Sequence, residues 1–226
     1  MCGRYTLKSS RQELEAFFDV AFPEGLLPRY NIGPAETLPV LCSAQATPNF
    51  KVELMRWGLI PHWAQEPSGH GHINARCETV AEKPTFRESF CRRHCLIPAD
   101  GFFEWRKEVD IKQAYYITLS DHRPFSFAGL WDESTNAQGQ KQKTFTVITT
   151  QANGKIKDLH HRMPIIVDPD KYQTWLSGVV DIGSIFRAPL CAELSFYPVS
   201  PVVNQIQFDA PECIEPYEKS QLSLGF

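Results

Sequence analysis

The sequence predicts a strand-rich α+β domain in which a curled antiparallel sheet or barrel-like core carries peripheral helices. Short segments rich in β-branched and aromatic residues alternate with turn residues, a pattern typical of strands. The 17 prolines and 13 glycines favour many turns over long helices. A chain of 226 residues, 42% of them hydrophobic, fits a single domain over 1–226, with a polar and less ordered tail after about Phe208.

Two helices are predicted. A capping box formed by Ser10 and Glu13 opens an amphipathic helix whose apolar residues keep helical spacing until Pro23. Asp168 and the proline after it are typical of an N-cap and first turn, and this second helix should end at Gly178. Strands are predicted at 37–41, 51–60, 95–98, 102–106, 115–119, 125–130, 144–149 and 165–167.

The charge balance limits the partners that the protein can take. The net charge is −3, whereas a protein that coats nucleic acid by bulk charge is usually basic, so any DNA binding must use a local patch. No apolar run approaches 18 residues, and we expect no membrane span. Nothing in the sequence calls for a cofactor.

Cysteine usage indicates a reducing compartment. The seven cysteines are irregularly spaced and odd in number, which is unlike a disulfide framework, and no signal peptide precedes them. We therefore expect an intracellular protein, in the cytoplasm or nucleoid if it is bacterial. Cys91 and Cys95 flank a histidine, but no second pair follows at zinc-finger spacing, so buried free thiols are expected and no metal site.

Cys2, directly behind the initiator methionine, is the first candidate for chemistry. Methionine removal would give it a free α-amine beside its thiol, with ordinary pKa values of about 8 and about 8.5. Such an aminothiol can trap an aldehyde, because the amine forms a Schiff base and the thiol closes onto the imine as a thiazolidine. It can also attack an amide, as N-terminal nucleophile hydrolases do. A cysteine at position 2 without function is the remaining alternative.

Three further polar residues stand out against the strand pattern. Glu104 lies between Phe103 and Trp105, so it either points inward with a raised pKa, suited to proton transfer, or alternates outward. His160 lies on a turn and is either an acid/base group or an ordinary surface or core histidine. Asn74 can hydrogen-bond a reacting oxygen or cap a turn.

Three arginines and a tryptophan are candidates for a DNA surface. Arg4, Arg76 and Arg162 can form a phosphate-binding set if the fold brings them together, and are otherwise solvated. Trp63, on a predicted loop, can stack or wedge against a base. Trp57 in the same segment is more typical of core packing.

The ordered set of motifs resembles the SRAP (SOS response-associated peptidase) family, the abasic site processing proteins. The matching stretches extend from Cys2 to Ser200, nearly the whole chain. They are MCGRY at 1–5, PRYNIGP at 28–34, RWGLIPHWA at 56–64, INARCET at 73–79, FRESF at 86–90, PADGFFEW at 98–105, AGLW at 128–131, TVITT at 146–150, HHRMP at 160–164 and YPVS at 197–200.

The resemblance implies a substrate and a reaction. Proteins of this family bind single-stranded DNA at abasic sites, where the ring-opened sugar exposes an aldehyde at C1′. The mature N-terminal cysteine condenses with that aldehyde into a thiazolidine DNA–protein crosslink, which shields the lesion. Lyase activity at the Schiff-base stage and reversal of the crosslink are also implied. We expect a monomer whose partner is abasic single-stranded DNA.

The resemblance also implies residue roles. Cys2 matches the nucleophile, Asn74 the residue that positions the reacting sugar oxygen or the Cys2 backbone, Glu104 the acid/base group and His160 a second proton-transfer group. Positions matching DNA contacts are Arg4, Trp63, Arg76 and Arg162. One departure concerns the histidine motif: His161 stands where the family commonly has aspartate, so either the orientation or the acidity of the neighbouring His160 is expected to differ.

Two alternatives to crosslinking stay open. One is an N-terminal cysteine peptidase, which would turn over a peptide substrate. The other is a noncovalent reader of modified or single-stranded DNA, which would survive loss of Cys2 and whose binding would weaken as salt rises.

Overall fold

The computed structural model describes residues 2–44, 50–64, 70–109, 111–135, 139–152, 154–178 and 194–218. Its helices are α1 Arg11–Phe18, α2 Pro84–Arg92 and α3 Tyr172–Leu176. Its strands are β1 Tyr5–Leu7, β2 Arg29–Ile32, β3 Thr37–Ser43, β4 Phe50–Trp57, β5 Asn74–Arg76, β6 His94–Ala99, β7 Gly101–Lys107, β8 Lys112–Leu119, β9 Phe125–Thr135, β10 Lys141–Gln151, β11 Arg162–Pro164, β12 Ile166–Val167 and β13 Leu194–Pro198.

The larger of two sheets closes on itself. Its strands follow the order β11-β10-β4-β3-β6-β9-β12, and β9 also pairs with β10, so β10, β4, β3, β6 and β9 form a closed ring. The expected strand-rich α+β domain with a barrel-like core is thus confirmed. Two pairings differ from a purely antiparallel sheet, because β10 runs parallel to β4 and then to β5.

The smaller sheet has the order β13-β8-β7-β1-β2 and is covered on both faces. On one face Tyr5 and Phe102 join the main core inside the barrel. On the other face Phe103 and Tyr116 pack beneath the segment that contains Val203. Successive residues of β7 are therefore buried in opposite directions, which a half-exposed strand does not show.

Both predicted helices are present. The Ser10–Glu13 capping box is complete, and Leu14 and Phe18 face the core, but α1 ends at Phe18 because Asp19 adopts a left-handed conformation (φ 51°). The second helix begins as a 3₁₀ turn at Pro169–Lys171 and continues as α3. Helix α2 was not predicted from the sequence. Only Phe86 and Ser89 of its nine residues are buried, so it lacks a periodic apolar pattern.

The described part of the C-terminal tail, residues 209–218, contacts the small sheet. The Asp209 carboxylate accepts hydrogen bonds from the backbone N–H groups of Tyr30 and Asn31, at 2.5 and 2.8 Å. Further along, the backbone N–H of Tyr217 donates to the carbonyl of Pro198 at 2.9 Å. The tail was expected to be less ordered because it is polar; the Asp209 carboxylate and the Tyr217 N–H are polar groups of the tail that pair with the sheet. Residues 219–226 lie outside the described residues.

Candidate active site

Cys2 lies in the core, just before β1, with no exposed surface. Burial raises the pKa of its thiol, and the nearby charge of Glu104 acts in the same direction. The side-chain Nδ2 of Asn74 donates a hydrogen bond to the Cys2 carbonyl oxygen at 2.8 Å. Asn74 begins β5, which is held in place beside Val147 of β10. The barrel therefore fixes the backbone of residue 2 through one amide side chain.

Glu104 points inward, which decides between the two orientations left open by the sequence. It is 2% exposed, although its neighbour Phe103 is buried on the opposite face. Burial raises the pKa of the Glu104 carboxyl to about 7. The carboxyl is therefore close to half protonated near neutral pH, as proton transfer in both directions requires.

His160 lies beside Glu104, with 3.9 Å between its Nδ1 and the Glu104 Oε2. The same Nδ1 lies 3.0 Å from the backbone N of Arg162 and 3.1 Å from its carbonyl oxygen, so the Arg162 backbone can pair with Nδ1 as donor or as acceptor. Partial burial lowers the pKa of His160, and the neighbouring His161, whose ring centroid is 4.3 Å away, acts in the same direction. His161 thus contributes a neighbouring tilted ring where an aspartate would have contributed a negative charge.

A cleft of about 470 Å³ opens at this place. Glu104 and His160 line it together with three residues that the sequence analysis did not single out: Trp105, Lys112 and Asn204. The Trp105 Nε1–H donates to the Asn204 Oδ1 at 2.8 Å, which holds the indole at the edge of the cleft. The aromatic run around Glu104 was a signal for Trp105, whereas Asn204 comes from a segment with no recognisable motif.

The three predicted arginines have different environments. Arg4 is half-buried and donates to the Asn31 Oδ1 at 2.7 Å and to the Val203 carbonyl at 3.1 Å. Arg76, at the end of β5, is exposed. Arg76 is therefore open to solvent, whereas Arg4 joins β2 to the C-terminal segment.

Arg162 is 6% exposed and its guanidinium is engaged inside the protein. It forms a two-pronged ion pair with Glu78, at 2.6 and 3.0 Å, and donates to the Thr149 carbonyl at 2.7 Å. Bidentate pairing of this kind fixes both partners. Arg162 therefore holds the turn after β5 against β10, and its backbone N–H orients His160.

Trp63 is 58% exposed and Trp57 is fully buried, as the sequence analysis expected for the two indoles. The residue before Trp63 anchors the turn: the Nδ1 and backbone N of His62 lie 3.1 and 3.0 Å from the Asp132 Oδ2. Asp132 is itself held by Arg93 at 2.8 Å. The exposed indole is thus carried by a fixed turn.

Neither a metal cluster nor a membrane helix is found in the described ranges. No three His, Cys, Asp or Glu side chains there are placed to hold a metal ion. No helix among the described residues is long and apolar enough to cross a membrane. The six described cysteines are free thiols, and Cys191 lies outside the described residues.

Comparison with known proteins gives matches over nearly the whole chain. A family model described as SOS response associated peptidase (SRAP) matches residues 1–206. The abasic site processing protein YoqW of Bacillus subtilis is 34% identical over 226 residues, which cover 96% of this chain and 100% of the relative. The abasic site processing protein YedK of Escherichia coli is 27% identical over 227 residues, which cover 96% and 100%.

Solved structures share the fold. The crystal structure of a protein from Bacteroides thetaiotaomicron superposes with a TM-score of 0.84 at 25% identity, and the match covers 96% of this chain and 100% of that one. A phage-related protein from Bordetella bronchiseptica gives a TM-score of 0.67 at 28% identity, covering 88% and 94%.

Proposed function

Because the chain belongs to the SOS response-associated peptidase (SRAP) family, we propose that it processes abasic sites in single-stranded DNA by forming a covalent crosslink through Cys2. The relatives named abasic site processing proteins support the substrate class. The observation that carries the proposal is the hydrogen bond from Asn74 to the Cys2 carbonyl, which holds residue 2 beside a buried carboxyl whose pKa is about 7.

The proposed reaction uses both nucleophiles of Cys2 after removal of Met1. The α-amine adds to the C1′ aldehyde of the ring-opened sugar, and water leaves to give an imine. The thiol sulfur then bonds to C1′, and its proton moves to the nitrogen, which closes the thiazolidine. Loss of a C2′ proton at the imine stage would instead expel the 3′ phosphate, which is the lyase branch.

Proton transfers in this scheme fall to Glu104 and His160. A carboxyl with a pKa of about 7 can take the proton of the C1′ hydroxyl and return it to the ring oxygen as the sugar opens. His160 is oriented by the Arg162 backbone, whose N–H and carbonyl oxygen both lie within hydrogen-bond distance of its Nδ1. Asn74 positions the Cys2 backbone, so that its amine approaches the sugar from a fixed direction.

Exposure supports two of the proposed DNA contacts. Arg76 is exposed close to Asn74 and is proposed to contact a phosphate, and the exposed Trp63 to stack on a base. Arg4 and Arg162 have their guanidinium groups engaged by Asn31 and Glu78. Any phosphate contact by either of them would add to, or exchange with, those hydrogen bonds.

The test separates the amine from the thiol. The mature protein should form a heat- and detergent-stable adduct with an abasic single-stranded oligonucleotide, with a mass equal to the sum of the two minus one water. Cys2→Ala keeps an α-amine and should lose the stable adduct while still giving an imine that borohydride reduction traps. The matched control is Cys91→Ala, which removes an exposed thiol and should leave adduct formation unchanged.

Two outcomes would contradict the proposal. A stable adduct formed equally well by Cys2→Ala would exclude thiazolidine chemistry. Tight binding of abasic DNA with no adduct in the protein that lacks Met1 would instead favour a noncovalent reader. Intact-mass measurement before and after incubation reports removal of Met1 and adduct formation in one experiment.

A further inference from the structure

A second pocket lies beside the candidate active site, at the end of the β7–β8 ladder. Its volume is about 550 Å³. Its walls are Arg106, Gln113, Tyr115, Pro198 and Tyr217, together with two carboxylates, and none of these residues has a role in the proposed crosslinking reaction. Pro198 belongs to β13, and Tyr217 comes from the tail segment that pairs with it.

The register of the small sheet places this pocket next to the reacting groups. Tyr115 lies directly opposite Glu104, so the pocket begins one cross-strand neighbour away from the carboxyl. Arg106 follows Glu104 by two residues and therefore faces the same side of the sheet, about 7 Å further along. One nucleotide of an extended single strand spans a step of this size. DNA with its abasic sugar at Cys2 thus has the pocket within reach of its neighbouring nucleotide.

Flat surfaces form the walls of the pocket. The Arg106 guanidinium lies over the Tyr115 ring, 4.7 Å from its centroid, and also donates to the Tyr115 hydroxyl. An ion pair of 3.1 Å joins the guanidinium to Glu108 as well. Tyr217 is 36% exposed. Planar guanidinium and phenol groups that are already held in place are suited to stacking on a nucleobase.

The charges of the pocket disfavour a phosphate. Two carboxylates, Glu108 and Glu218, line it with one cation, Arg106, which already pairs with Glu108, so the lining is net negative and opposes an anion. The same carboxylates accept hydrogen bonds from exocyclic amino groups, which adenine, cytosine and guanine carry and thymine lacks. The chemistry therefore fits an uncharged flat ring with an amino group at its edge.

We propose that this pocket binds the nucleobase of the nucleotide next to the abasic sugar and prefers a base with an exocyclic amine to thymine. The proposal rests on the proposed crosslinking function and adds a substrate preference to it. Base contacts of this kind affect DNA binding before the chemical step, so the preference is expected in the DNA concentration that gives half-maximal rate, with the maximal rate unchanged.

The test uses abasic oligonucleotides that differ only beside the lesion. The neighbouring nucleotide, on the 5′ or the 3′ side, is cytidine, thymidine or a baseless tetrahydrofuran. On one of the two sides, the half-maximal concentration for adduct formation should rise about 5-fold or more when the base is removed. Thymine should give an intermediate value.

Variants assign the effect to the pocket. Tyr217→Ala and Arg106→Ala should each bring the ratio of half-maximal concentrations for tetrahydrofuran and cytidine towards 1. Two variants are used so that the test stands even if one of them fails to fold. Arg123→Ala is the matched control, because Arg123 also pairs with an acidic residue two positions away, Asp121, but lies at the turn between β8 and β9. It should keep the full preference.

Failure of the inference is distinct from failure of the proposed function. Equal half-maximal concentrations for cytidine, thymidine and tetrahydrofuran on both sides, with normal adduct formation, would overturn the base pocket and leave crosslinking intact. A preference that persists in both pocket variants would place it elsewhere and would also overturn the inference. Absence of an adduct with every oligonucleotide would overturn both.

Discussion

Glu104→Gln should make the protein more stable and less active at the same time. Burial raises the pKa of this carboxyl from an ordinary 4.5 to about 7. The folded protein then binds the proton more tightly than the unfolded chain does, so stability falls as the pH rises from about 4.5 to about 7 and is level above that. The loss amounts to about 3 kcal/mol. Glutamine has the same shape and no charge, so the variant avoids this loss.

Urea unfolding of the variant and the wild type at pH 5, 6, 7 and 8 measures the effect. The difference in unfolding free energy should grow with pH and reach about 3 kcal/mol at pH 8, while the rate of adduct formation falls roughly 100- to 10,000-fold. Glu24→Gln, at an exposed position, is the control for removal of a negative charge and should show neither change. A stability difference that does not vary with pH would refute the argument that burial holds the carboxyl protonated.

Three further predictions concern two buried residues, His94 and Arg162, and the exposed Arg76. His94 is packed against Trp175, with 4.3 Å between ring centroids, and burial lowers its pKa to about 4. Stability should therefore fall by about 3 kcal/mol as the pH drops from about 6.5 to about 4, and His94→Phe should flatten this part of the urea-unfolding pH profile; an unchanged profile would contradict the assignment. Arg162→Ala should lower the unfolding free energy by about 2 kcal/mol. Arg76→Ala should change the unfolding free energy by less than about 0.5 kcal/mol, yet reduce the log–log salt slope of single-stranded DNA binding by about 0.7. A large loss of stability in Arg76→Ala and a reduced salt slope in Arg162→Ala would contradict this assignment, because Arg76 would then be structural and Arg162 the phosphate contact.

Local patterns predicted most of the secondary structure, and the failures have physical causes. The capping box at Ser10 and the proline at 169 are chemical signals that depend on neighbouring residues alone. Short strands such as β1, β5 and β11 have three residues each, too few for an alternating pattern to appear. Closure of the ring depends on pairings distant in sequence, such as Thr144 of β10 beside Arg56 of β4, which no window of the sequence contains.

The site was predictable through motifs but not through periodicity. The position of Cys2 suggested its chemistry, whereas the inward direction of Glu104 depends on the C-terminal segment that covers the opposite face of β7. Arg162 illustrates the limit most clearly. Its partner Glu78 is 84 residues away, so sequence alone could not show that the guanidinium is engaged in an ion pair.

Burial of the Cys2 thiol bears on the choice between a trap and a peptidase. A cysteine peptidase attacks its substrate as a thiolate, and burial raises the pKa of this thiol and so opposes the thiolate. Ring closure onto an imine depends less on formation of a thiolate, because the neutral thiol delivers its own proton to the nitrogen and no net charge appears in the dry interior. In the proposed reaction the amine therefore acts first and the sulfur second. The environment that weakens Cys2 as a hydrolytic nucleophile is compatible with the closing step of a thiazolidine.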